Sequence, residues 1–119
     1  MRSELQTHKG KQFLYCNYVD MEGDVLQAEL TAVDAYVMQQ PEGSALVLID
    51  VRGVAPTREN IGMYIKSARN SKKYLCKSAV IGIGFSGQRR VLFDAIMRIA
   101  GDEMTLFEDI EAAKDWLAS

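Results

Sequence analysis

Ala45-Leu46-Val47-Leu48-Ile49-Asp50-Val51-Arg52-Gly53 decides the fold. Its apolar run is continuous rather than alternating, as in a strand of a parallel sheet covered on both faces. A central strand over 45–51 needs crossover helices and neighbouring strands, and the flanking sequence provides both. On the amino-terminal side, Leu26, Leu30, Val33 and Val37 recur with a helical period, from the Gly23-Asp24 start signal to a stop before Pro41. Ahead of it, Arg2 to Thr7 and Gln12 to Val19 read as two strands of a hairpin turned at Lys9-Gly10.

On the carboxyl side, Thr57 is placed to cap a helix bearing Ile61, Ile65 and Ala68, which frays through Asn70-Ser71. A second buried strand is expected over Ala79 to Phe85, followed by a helix capped by Ser86. That helix is expected to pack through Val91, Leu92, Ala95, Ile96 and Ile99 and to stop at Gly101. Met104 to Phe107 reads as a short last strand, and Ile110, Ala113, Trp116 and Leu117 form the apolar face of a closing helix. The predicted fold is α/β, a mixed and mostly parallel sheet with helices packed on it, in the order ββαβαβαβα.

The chain has 119 residues, 48% of them hydrophobic and 25% charged, which suits one domain over 1–119 and excludes a disordered regulator. Cys16 and Cys76 are the only cysteines, so a disulfide-stapled miniprotein is excluded too. No apolar run is long enough to cross a bilayer, and the polar opening lacks the apolar core of a secretion signal, so a cytoplasmic location is expected. Charge is unevenly spread. Residues 1–51 hold three cations against eight carboxylates, residues 52–98 ten against two, and residues 99–119 one against six. A homodimer in which the cationic middle meets the acidic flanks would follow from this pattern.

Ligands of such sheets sit beyond the carboxyl ends of the strands, where the sequence places Asp20, Asp50, Arg52, Gly53, Phe85, Ser86, Gly87 and Glu108. Gly82-Ile83-Gly84-Phe85-Ser86-Gly87 spells a dinucleotide fingerprint with Glu108 downstream, yet it lies in the last third of the chain rather than in a first βαβ unit. The bland reading is close backbone packing at Gly82 and Gly84. A phospho-receiver would use Asp50 and Ser86, but no lysine ends the last strand. Arg89 and Arg90 in a first helical turn oppose the helix dipole, so either a bound anion, a nearby acid or solvent must relieve them. The cationic run Lys66, Arg69, Lys72, Lys73 and Lys77 suits a solvated helix face better than a site for nucleic acid or an anionic membrane, and with Tyr74 as its only aromatic it provides poorly for base stacking. His8, the sole histidine, has no partner in sequence for a triad or metal site.

Three stretches resemble the STAS domain family, and more closely its SpoIIAA-like branch, also described as STAS/SEC14-like. They are Leu46 to Gly53; Ala79-Val80-Ile81-Gly82-Ile83-Gly84-Phe85-Ser86 leading to Arg89-Arg90-Val91-Leu92; and Leu106 to Leu117. The resemblance implies a small bacterial, non-enzymatic regulatory or ligand-binding domain. It also implies a phosphorylatable serine at the helix start after the central strand, where this chain reads Val54-Ala55-Pro56-Thr57-Arg58-Glu59-Asn60 and offers only the Thr57 hydroxyl. Its SEC14-like side implies a pocket for a lipid-like ligand.

The expectation is therefore a STAS-like module without catalytic residues, cofactor or metal. A rim of Asp50, Arg52, Thr57, Arg58, Ser86, Gly87 and Arg89 would meet an anionic or lipid-like small molecule or a partner protein. The competing reading is a small α/β enzyme or phospho-switch protein acting through Asp50 and Ser86.

Overall fold

Lys9 and Gly10 both adopt positive φ, 49° and 80°, the backbone of a two-residue hairpin turn whose twist matches the flanking strands. It joins β1 (Glu4–His8) to β2 (Lys11–Asn17), with His8 opposite Lys11. The computed structural model describes residues 1–119. After the hairpin come α1 (Gly23–Val37), β3 (Ala45–Asp50), α2 (Arg58–Ser71), one turn of 3-10 helix (Lys72–Tyr74), β4 (Leu75–Ile81), α3 (Gln88–Ala100), β5 (Thr105–Phe107) and α4 (Ile110–Ala118). The order ββαβαβαβα is the predicted one. A single five-stranded sheet runs β1-β2-β3-β4-β5, antiparallel at β1-β2 and parallel elsewhere.

Strand alternation divides the interior into two cores. On one face Leu14, Cys16, Val47 and Val80 pack beneath α1, α2 and α3, the crossover helices. On the other, Phe13, Leu48, Ala79 and Ile81 meet Ala113 and Leu117 of α4. β3 contributes to both, which is why its sequence is unbroken by polar residues until Asp50. The N-terminal segment is held to α1 by Glu29, whose buried carboxylate accepts the main-chain N–H groups of Arg2 (3.0 Å) and Ser3 (2.8 Å).

Three expectations need correction. The fourth strand covers Leu75–Ile81, not 79–85. Its first half was disguised by polar residues with structural partners: the Lys77 ammonium donates to the main-chain oxygens of Trp116 and Ser119 at 2.9 Å, and Ser78 is buried. Its end is fixed by Gly82 and Gly84, whose φ values of 105° and 83° leave the extended region. Ser86 is exposed and does not cap α3; Gly87 occupies that position without a side-chain bond. The third correction concerns the face of α3. Phe93 and Ala100 are buried while Val91 and Ile99 stand 67% and 55% exposed. α3 carries more apolar residues than one face can hold, and Phe93 determines which of them turn inward.

Candidate functional site

Beyond the carboxyl ends of the strands, three loops cross at van der Waals distance because glycine sits at each crossing. Gly53, at φ 77°, lies against the Asp20 carboxylate, where a β-carbon would overlap it. Gly82 lies over the Val51-Arg52 peptide, and a β-carbon there would be 2.6 Å from the Arg52 nitrogen. Arg89 reaches back from the first turn of α3 and fastens these loops together. Its guanidinium donates to the carbonyls of Gly82 (3.1 Å), Val54 (2.7 Å) and Val51 (3.2 Å). Carbonyl dipoles thus relieve the charge that the helix terminus opposes.

The expected rim is divided between the two faces of the sheet. Asp50, two residues beyond Leu48 in β3, shares its face of the sheet, so its side chain lies on the α4 side, fully buried at 0% exposure. It accepts from Arg52 Nε (2.9 Å to Oδ1), Arg52 Nη2 (2.6 Å to Oδ2), the Arg52 main-chain N–H (3.2 Å) and the Tyr15 hydroxyl (2.6 Å). Burial alone would raise the Asp50 pKa, but these bonds outweigh it and hold the carboxyl below its usual value. Arg52 borders an open depression of about 350 Å³ whose lining is mixed, with Gly82, Gly84, Glu108 and Asp109 beside Ile81, Phe107 and Ile110. Arg89 lies on the other side of the sheet. Thr57 spends its hydroxyl on the N–H of Asn60 (3.1 Å), as the cap of α2, and Arg58, Ser86 and Gly87 are exposed. No hydrogen bond or ion pair joins Asp50 to Ser86.

The apolar cavity is on the helix side. A cavity of about 120 Å³ separates the sheet from α1, α2 and α3. Val47, Ile49 and Val80 form its floor; Val33 and Val37, Tyr64 and Ala68, and Phe93 and Ile96 form its walls. Of 27 lining residues 21 are hydrophobic, so water gains little there and an apolar chain or ring gains much. Ala55 and Pro56 are its only exposed lining residues, which puts the mouth at the β3–α2 loop, beside Ile61 and Leu92.

Polar groups in this apolar setting are few and mostly satisfied. Asp34 is buried between α1 and α2; burial raises its pKa, partly offset by bonds from Ser67 (2.6 Å) and Asn70 (3.3 Å). Asn60 donates to the Ala55 carbonyl at 2.9 Å. Tyr64 differs: its hydroxyl is buried and has no hydrogen-bond partner. Desolvation pushes its pKa upward against the opposing field of Arg89, so it is a neutral donor at the cavity wall.

Sequence reasoning missed this site, although a signal was present. Asn60, Tyr64, Ser67 and Ser71 recur at spacings of four, three and four. They run along the inward side of α2, where Ile61, Ile65 and Ala68 alone had been expected. A stripe of hydrogen-bonding side chains facing a core marks a lined space rather than a filled one. No group of three or more His, Cys, Asp or Glu side chains is arranged to hold a metal ion. No helix is long and apolar enough to cross a membrane. No protein-family profile, curated protein or solved structure matches this chain.

Proposed function

We propose that the protein is a STAS-like ligand-binding or regulatory module without catalysis, and that its cavity takes a lipid-like small molecule with one polar end. The observation carrying this reading is the unpartnered Tyr64 hydroxyl at the wall of the apolar cavity. An unsatisfied buried hydroxyl costs about 1–3 kcal/mol, a cost removed when a ligand oxygen accepts from it. The apolar lining supplies the affinity and Tyr64 the orientation. The element order ββαβαβαβα is the one that the STAS-like reading requires. Asp50, sealed by Arg52 and Tyr15, serves the architecture rather than a reaction.

The test is a Tyr64→Phe variant, with displacement of the apolar fluorophore N-phenyl-1-naphthylamine by decanoate as the binding readout. The variant loses the stranded hydroxyl, so ligand-free protein is expected to become more stable by about 1 kcal/mol, while decanoate binds about tenfold more weakly. Opposite signs for stability and affinity distinguish a ligand-directed hydroxyl from a structural one. Failure of the fluorophore to bind, or a variant that is less stable with affinity unchanged, contradicts the proposal.

A further inference from the structure

We infer that the outer surface of α2 and α3 docks on an anionic lipid surface, with the cavity mouth at the contact. The charge pattern is the first ground. α2 carries Arg58, Lys66 and Arg69 against Glu59, and α3 carries Arg90 and Arg98 against Asp94, its Arg89 being turned in to the loop carbonyls. α1 has Asp24, Glu29 and Asp34 and no cation, and α4 has Glu111 and Asp115 against Lys114. Arg90 is paired with Asp94 at 3.0 Å, whereas Arg58, Lys66, Arg69 and Arg98 have no carboxylate partner. Within the helix layer, positive charge is therefore gathered on two adjacent helices.

The second ground is apolar exposure on the same helices. Val91, Ala95 and Ile99 follow one another at every fourth residue along α3, and Val91 and Ile99 are largely exposed. Arg69 of α2 donates to the Ile99 carbonyl at 3.2 Å, so its charge lies beside this strip. On α2, Arg58, Ile65 and Arg69 share the solvent-facing side by helical spacing, and Ile61 and Leu92 lie between the helices at the cavity mouth. Exposed aliphatic side chains flanked by cations are the pattern of a helix lying in a membrane interface. Nucleic acid would use the cations and leave Val91 and Ile99 wet. A second copy bound face to face would oppose like charges.

Co-sedimentation with vesicles tests the inference. Protein should bind vesicles of phosphatidylcholine containing about one-third phosphatidylglycerol at roughly 0.05 M salt, and release at roughly 0.5 M or from phosphatidylcholine alone. Two variants with exposed substitutions separate the contributions: Val91→Ser with Ile99→Ser, and Arg58→Glu with Lys66→Glu and Arg98→Glu. The charge variant is expected to weaken binding well over tenfold, since one surface cation is worth about a factor of five, and the aliphatic variant at least about tenfold through the lost apolar burial of two side chains. Wild-type protein that ignores anionic vesicles, or variants that bind as well as wild type, overturns the inference. So does a dimer in sedimentation that Val91→Ser with Ile99→Ser dissociates, because the face would then belong to a second copy. The Tyr64 and vesicle experiments can each fail without the other.

Discussion

Gly82→Ala is expected to cost about 4 kcal/mol and to lower the melting temperature by more than about 10 °C. Two costs combine at this position. Its φ of 105° is a backbone conformation that side chains rarely adopt, and the new β-carbon would be 2.6 Å from the Arg52 nitrogen and 2.9 Å from the Val51 carbonyl carbon. Neither atom can retreat, because Val51 donates its N–H to the Ile81 carbonyl and the Arg52 carbonyl accepts from Asp20. Gly84→Ala is the control. Its φ of 83° is also strained, yet the nearest atom, the Ser86 oxygen, is 4.0 Å away, so about 1 kcal/mol is expected. Thermal melts of both variants measure the difference. Equal losses would mean that the loop crossing contributes nothing beyond backbone strain.

Arg52→Ala is expected to cost about 3 kcal/mol at neutral pH, because it leaves a fully buried carboxylate without its guanidinium. The pH dependence has a definite sign. In the wild type, Asp50 has a folded pKa below its unfolded value. Its contribution is therefore complete above about pH 4 and lost as pH falls through the folded value. In the variant, burial dominates and raises the Asp50 pKa, so the folded state gains relative stability as pH falls from 7 toward about 4. The stability gap between the two proteins should narrow over that interval. Asp50→Asn combined with Arg52→Ala removes both charges and should recover more than half of the loss, since deleting a pair costs less than orphaning one member. Urea unfolding at neutral and mildly acidic pH decides it. A single variant within about 0.5 kcal/mol of wild type would show the ion pair to be ornamental.

The fold was readable from local chemistry that agrees with its surroundings. The run 45–49 acts through five consecutive apolar residues, and the turn at Lys9-Gly10, the Thr57 cap and the left-handed stop at Gly101 each act through one or two; all four are observed. Tertiary partners hid the first half of β4, because Lys77 and Ser78 look like loop residues until α4 and the sheet interior are in place. The candidate rim divided for a similar reason. Strand ends placed Asp50 and Arg89 at the same edge, but only the pleat decides that Asp50 points toward α4 while Arg89 serves the helix side. The cavity was least legible. Periodicity tells which side chains turn inward and is silent on whether they fill the space they enclose.

Methyl-resolved NMR during decanoate addition tests the ligand-binding account most directly. The account predicts shifts at Val33, Ile61, Leu92 and Ile96, which line the cavity, with Leu48, Ile110 and Leu117 across the sheet unmoved. Shifts confined to the α4 side, or none at saturating ligand, would contradict it.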